Sequence, residues 1–468
     1  MFKLQIKYLS FFFGIVSILS FFNILYSYYF NLYLNLDTYY FTLLASSILF
    51  ITFFKFGKYD IKSNIFQRIL TIFLGYLLIP LVLSIPFYFS IYNLTFSNSF
   101  FEAISGFTST GFTVFENIKL IDQSLIIWRS STQWIGGLYF LFSIIYLIDI
   151  YDDSFKKTLT NFISFNSSEI LKQAAKIFIL YSSLTILIFI VLNIFSIRSF
   201  DSLNLSLTII SSGGFLPVNE LSTIIKENVQ IIIFSLLMLF SFFSLFFSYN
   251  LIFLRKKNVN FFYEDLHLFV YLIIVTTIFF LFFSFNYDFF INLFAIISSM
   301  TNIGFSLNSG QDNLNFIFLI LVIIGGSFFS TSSGLRFIKI YSLFKFSLNQ
   351  ILSFSRPKNV FMNKLIFTKI NFNLDEINKY FLTIIIFILS LFILTSLLSL
   401  SGITFVNSFK LAILTLMNTV NSSIYGLKEF DFYNLQLFSK YCLIFFMIVG
   451  RIELLTILLL IKKFLFKN

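Results

Sequence analysis

The sequence predicts an all-α polytopic membrane protein in which four parallel helix–loop–helix repeats follow two N-terminal transmembrane helices. Three observations predict it: apolar runs of bilayer length fill most of the chain, basic residues cluster in every second connection, and one short polar pattern recurs four times between runs. Of 468 residues, 58% are hydrophobic and 11% charged, whereas soluble domains carry about 25% charged residues. A spanning helix needs roughly 20 mostly apolar residues. Ten such runs are present, at about 8–30, 38–55, 67–93, 125–149, 175–197, 229–254, 266–287, 313–341, 380–401 and 436–461. The first is long and lacks a small-residue cleavage site, so it reads as a transmembrane helix and not as a signal peptide. The 74 Phe and 24 Tyr read as coding bias.

Orientation follows from the basic residues. Lys55, Lys58, Lys62 and Arg68 follow the second run, and Lys156, Lys157, Lys172 and Lys176 the fourth. Arg255, Lys256 and Lys257 follow the sixth, Lys345, Arg356, Lys358, Lys364 and Lys369 the eighth, and Lys462, Lys463 and Lys467 close the chain. By the positive-inside rule both termini are cytoplasmic. Most of the net charge of +11 is therefore topology, and no nucleic-acid partner is expected. Cys442 and His267 are the only residues of their kinds. They cannot form an internal disulfide or a Cys/His metal cluster, so Cys442 reads as a small apolar residue and His267 as a helix-boundary residue. Nothing in the composition resembles catalysis.

The recurring pattern is "TSTGF" at 108–112, "SSGGF" at 211–215, "TNIGF" at 301–305 and, faintly, "NTVNS" at 418–422. Aligned on Gly111, Gly214, Gly304 and Asn421, each has a hydroxyl six residues upstream: Ser105, Thr208, Ser298 and Thr415. Thr108, Ser211, Thr301 and Asn418 stand three upstream, and Ser109, Ser212, Asn302 and Thr419 two upstream. Apolar stretches precede the tips ("FEAISGF", "LNLSLTII", "FAIISSM", "LAILTLM"), with Asn98, Asp201 and Ser408 as helix starters and Asn292 near the start of the third. Each unit reads as outer helix, short re-entrant helix, extended tip, inner helix. Lipid cannot satisfy bare backbone, so an extended tip at membrane depth must be buried in protein or line water. Four tips on the external side make four parallel helix–pore-loop–helix repeats around a central pore, with carbonyls able to replace a monovalent cation's hydration shell. The units are an N-terminal hairpin (1–64) and pore repeats at 65–160, 161–260, 261–374 and 375–468. A membrane enzyme would need carboxylates or histidines clustered at membrane depth, and a carrier of inverted repeats would alternate the sidedness of its units. The sequence offers neither.

At this point the chain resembles the Trk/Ktr/HKT superfamily of potassium-translocating subunits, specifically its ten-helix TrkH-type members. The resemblance covers essentially the whole chain. "WRSSTQWIGG" (128–137) matches the start of the first inner helix, "GGSFFSTSSGLR" (325–336) a broken third inner helix, and "GRIELLTI" (450–457) the last. It implies potassium uptake across the cytoplasmic membrane. The implied selectivity filter is Thr108, Ser109, Thr110 and Gly111; Ser211, Ser212, Gly213 and Gly214; Thr301, Asn302, Ile303 and Gly304; Asn418, Thr419, Val420 and Asn421. The resemblance implies K+ as the transported ion, with no organic cofactor in this chain. The Gly and Ser residues inside the eighth run read independently as a helix break. The resemblance makes Gly325, Gly326, Ser330, Thr331 and Gly334 an intramembrane gate. Arg451, deep in the last run, reads as a cavity-facing charge and by resemblance as part of the barrier. Glu453 is off-face for pairing with it. Arg129 and Glu102 are positioned to pair near the external end, and Arg336 and Lys339 read as cytoplasmic anchors. The resemblance further implies a homodimer and a separate cytosolic nucleotide-binding regulatory subunit of the RCK type. Asn421, where the family usually has glycine, leaves a sodium-permeable or sodium-coupled transporter as the alternative.

Overall fold

The computed structural model describes residues 7–57, 65–147, 170–252, 263–283, 288–307, 314–354, 374–427 and 430–452. The basic positions Lys58, Lys62, Lys156, Lys157, Arg255, Lys256, Lys257, Arg356, Lys358, Lys364, Lys369, Lys462, Lys463 and Lys467 lie outside the described residues, as does Glu453. Among the described residues the regular structure is helical apart from one isolated bridge between Ile324 and Leu335.

An N-terminal hairpin is formed by α1 (Lys7–Tyr29) and α2 (Leu36–Phe56). The first unit contains α3 (Ile65–Leu83), the short α4 (Ile85–Tyr88), α5 (Phe96–Phe107) and α6 (Gln123–Tyr146). The second contains α7 (Ile170–Ile194), α8 (Ser199–Ile210), α9 (Asn228–Phe242) and α10 (Leu245–Ile252). In the third are α11 (Tyr263–Phe283), α12 (Phe289–Met300), α13 (Asn315–Ile323) and α14 (Phe337–Ser353). The last has α15 (Leu374–Leu400), α16 (Phe405–Leu416) and α17 (Leu437–Ile452).

Six helices among the described residues are long and apolar enough to cross a membrane: the hairpin pair and the outer helix of each unit. The inner helices fall short for a physical reason. α6 carries Arg129, Ser130, Ser131, Thr132 and Gln133 in its interior, and the second and third inner helices are interrupted. The hairpin is the lipid-facing rind: α1 packs against α2 and α6, while α2 exposes Phe41, Leu44, Ile48 and Ile51.

The re-entrant helices α5, α8, α12 and α16 are each 12 residues long. Twelve residues rise about 18 Å, short of the ~30 Å hydrocarbon core, so each ends inside the protein. Their N-caps are Thr95, Arg198, Asp288 and Thr404, so Asn98, Asp201 and Ser408 fall in the first turns and are not the starters the sequence indicates, while Asn292 lies near the start of its helix as expected. Thr95 is the one whose side chain caps, accepting from the Asn98 amide.

Candidate ion pore

All four re-entrant helices end in the same way. The residue after the C-cap is left-handed: Ser109 (φ 57°), Ser212 (55°), Asn302 (59°) and Asn418 (47°). Its amide and those beyond fold back on the last carbonyls: Ser109 N to Gly106 O, Thr110 N to Ser105 O, and likewise Ser212 to Ile209, Gly213 to Thr208, Asn418 to Thr415 and Thr419 to Leu414. This Schellman closure usually carries glycine at the left-handed position. A side chain there costs roughly 1–2 kcal/mol, and each of the four is put to use.

Ser212 Oγ donates to Thr301 O (2.7 Å), Asn302 Nδ2 to Thr419 Oγ1 (3.3 Å), and Asn418 Nδ2 to Thr110 Oγ1 (3.0 Å). The second tip thus reaches the third, the third the fourth, and the fourth the first. Between the first and second tips the backbones themselves meet: a Cβ on Gly111 would stand 2.7 Å from Gly214 Cα. Beneath that junction the Arg451 guanidinium donates to Ser109 Oγ (3.3 Å) and Ser211 O (3.4 Å). The ring is closed in chain order.

The geometry moves the fourth tip by one residue. Two steps past the left-handed residue stand Gly111, Gly214 and Gly304 in the first three tips, but Val420, not Asn421, in the fourth. Val420 is also what crowds those glycines: a Cβ on Gly214 would lie 2.2 Å from Val420 Cβ, and one on Gly111 3.0 Å from it. Asn421 falls where Phe112, Phe215 and Phe305 stand, and its Nδ2 donates to Leu427 O (3.2 Å). The misleading signal is Thr415, whose hydroxyl bonds back to Leu411 O (2.6 Å) inside its own helix. Gly111 (φ 84°) and Gly304 (φ 80°) occupy backbone angles that a side chain resists. Thr108 pairs with Thr110 through their hydroxyls (2.8 Å), and Ile303 is buried behind the third tip.

The inner helices press on this ring through small residues. A Cβ on Gly136 would meet Phe107 O at 1.9 Å, and one on Gly450 would meet Leu416 O at 2.3 Å. Gln133 of α6 accepts from the Phe215 amide (3.2 Å), a contact that sequence reasoning missed although the polar run around Gln133 signals it.

Above the ring lies a cavity of about 780 Å³ whose floor is Gly111, Gly214, Gly304 and Val420 and whose rim includes Glu116, Glu220 and Asp431. Although partial burial opposes it, hydrogen bonds from the Asn434 side chain and from the Asn434 and Tyr433 amides hold the Asp431 carboxyl below its ordinary range. Arg129, also on the lining, is neutralised: its Nε donates to Glu102 Oε1 at 2.8 Å, with side chains 1% and 0% exposed. Glu102 also accepts from Val114 N (2.9 Å) and Thr113 Oγ1 (3.1 Å), which fixes the limb rising from the first tip along the cavity wall.

Below the ring, helix α13 stops at Ile323 and α14 starts at Phe337. The intervening segment is looped, with Gly334 at φ 78°. Gly325 N bonds Leu335 O (2.8 Å) and Leu335 N bonds Ile323 O (3.0 Å), pinching the loop at its base. Its apex touches the tips: Thr331 Oγ1 donates to Ile210 O and Ser332 Oγ to Asn302 Oδ1, both at 2.7 Å. Arg451 donates to Ser333 Oγ as well. Gly326 and Ser330 line the inside of the same loop, where a Cβ on Gly326 would approach Ser330 Oγ at 2.8 Å. Arg336 is not a cytoplasmic anchor: it is buried and donates to Ser327 O, Ser330 Oγ and Ser332 O at 2.9–3.3 Å. It and Arg451 both lie over the Phe140 ring, at 4.9 and 4.2 Å. Lys339, one turn on, is likewise buried.

The sequence reading also missed a second break, between α9 and α10 at Phe243 and Ser244. It fits the loop. Ser327 N and Ser332 N donate to Phe242 O and Ser241 O, and Leu245 N donates to Phe329 O, each at 2.9 Å. Two interrupted helices thus satisfy each other's backbone, as bare backbone at membrane depth requires.

No protein-family profile matches the chain. It is 25% identical over 423 residues to an uncharacterized cation transporter of Methanocaldococcus jannaschii, spanning 84% of this chain and 82% of the relative. It is 23% identical over 385 residues to the Trk system potassium uptake protein TrkH of Halomonas elongata, 78% of each chain. To TrkH of Escherichia coli K12 it is 23% identical over 423 residues, 86% of each chain. Its fold is that of the potassium transporter TrkH from Vibrio parahaemolyticus, with a TM-score of 0.83 over 98% of both chains at 19% identity.

Proposed function

We propose that this chain, a TrkH-type member of the Trk/Ktr/HKT superfamily by sequence and fold, takes up potassium through the ring of four tips. The observation that carries the reading is the closure of that ring: each left-handed residue is tied to a neighbouring tip or to Arg451. Potassium enters an acidic vestibule, sheds water at the tips, and meets the C-terminal, partially negative ends of four re-entrant helices. The filter is the tip segments from Thr108, Ser211, Thr301 and Asn418, with Val420 as the apolar member of the glycine layer. The loop around Gly325, Gly326, Ser330, Thr331 and Gly334, with Arg451, is the gate beneath it. Uptake runs down the membrane potential, worth about 2.3 kcal/mol per charge per 100 mV.

The chain lies in the cytoplasmic membrane with both termini inside, its tips outside, and each outer helix, tip and inner helix forming one pore repeat. It works as a homodimer with a separate cytosolic nucleotide-binding regulatory subunit of the RCK type. Relatives named as parts of a Trk system support a multicomponent assembly, and the basic connections offer it a docking face. The test is rubidium-tracer uptake into vesicles holding the purified chain. Potassium should compete strongly and sodium weakly. Equal competition by sodium would refute a potassium filter.

A further inference from the structure

Two adjacent carboxylates, Glu264 and Asp265, stand in the first turn of α11, the outer helix of the third unit, far from the tips in sequence and outside every motif described above. Asp265 is buried and its two oxygens accept from the Ser244 amide (2.8 Å) and hydroxyl (2.7 Å), at the break of the second inner helix. Glu264 Oε1 accepts from the Phe328 amide (2.8 Å), inside the break of the third. One helix end therefore holds both breaks. The loop is gripped by complementary groups: Arg336 donates to its oxygens while Glu264 accepts from its amide. Asp265 is buried and each bond joins the end of α11 to a break in an inner helix, so each contact biases the position of the loop.

We propose that Glu264 and Asp265 form a latch that keeps both broken inner helices in the non-conducting position, so that displacement of the α11 end releases them together. The proposal rests on the reading of the 325–334 loop as the gate. Glu264 and Asp265 are positioning residues, since they act through the loop and not on the ion.

The test uses the purified chain in vesicles, without a regulatory partner, and reads rubidium uptake with potassium and sodium competition. E264A and D265A should each raise partner-free uptake about tenfold, the scale of one hydrogen-bond donor left without its acceptor, and leave the potassium-to-sodium competition ratio unchanged. E264Q retains an oxygen for the Phe328 amide and should stay near the unmodified chain. Folded alanine variants with unchanged or reduced uptake overturn the latch. A T331A/S332A variant, which removes the contacts of the loop with the tips, separates the two readings. Raised uptake there with unchanged E264A and D265A sinks the latch alone; unchanged uptake in all of them sinks the gate as well. If the alanine variants do not fold, a D265C/S244C pair in a C442S background replaces them. Oxidation should lower uptake and reduction restore it, and insensitivity to redox state overturns the proposal.

Discussion

Val420 sets the fourth tip apart from the other three. Three glycines leave room at one layer, and the fourth position fills it with an isopropyl group that lies within contact of each of the others. Its side chain carries no oxygen and can only narrow the passage, while the backbone carbonyl stays available to the ion as at the other tips. V420G should therefore raise rubidium uptake several-fold in vesicles, with the fold intact. Unchanged uptake would mean that the methyl groups stand clear of the ion path. This residue was not legible in the sequence as the glycine equivalent. The hydroxyl register that aligns Ser105, Thr208 and Ser298 picks Thr415, whereas the backbone register puts Leu414 at that position. Left-handed geometry at Asn418, which places Val420, is visible only in the backbone.

At the scale of elements, the hydrophobic runs and the Ser/Thr/Gly tips were legible because composition alone fixes what can span and what must not face lipid. The break at Phe243 and Ser244 was not, because no glycine or proline marks it. It arises from tertiary contact: the loop between Ile323 and Phe337 supplies the partners that an interrupted helix needs. Arg336 was misread for the same reason, since its sequence position near the end of an apolar run says nothing about a loop folding back over it. Close approach of elements does leave a trace, in glycines inside otherwise unbroken helices. Gly450 lets α17 seat against the last turn of α16, where a Cβ would come within 2.3 Å of the Leu416 carbonyl. Backbone cannot yield as a flexible side chain can, so G450A should cost about 1–3 kcal/mol of stability. Thermal unfolding in detergent measures it, and the same variant should reduce uptake by shifting Asn418, whose Nδ2 bonds Met447 O on α17 (2.9 Å). A variant as stable and active as the original would show that the two helices are not in register at this point.

Across the whole molecule, charge is arranged with a direction. The chain carries a net +11 with its basic residues gathered in alternate connections, while the cavity over the ring is rimmed by Glu116, Glu220 and Asp431 and its one lining arginine is paired with Glu102. A cleft of one sign with apolar walls concentrates the opposite ion and speeds its entry without binding it tightly. Such a field is screened by salt, with a Debye length of about 10 Å at 0.1 M and 3 Å at 1 M. Replacing all three acids by their amides should therefore raise the potassium concentration needed for half-maximal uptake at low ionic strength. It should leave the maximal rate in place, and the difference should fade as an impermeant salt is added. Uptake measured against potassium at several salt concentrations separates the two roles of these groups: a fall in maximal rate that salt does not erase would place the acids in contact with the ion and extend the binding site beyond the tips.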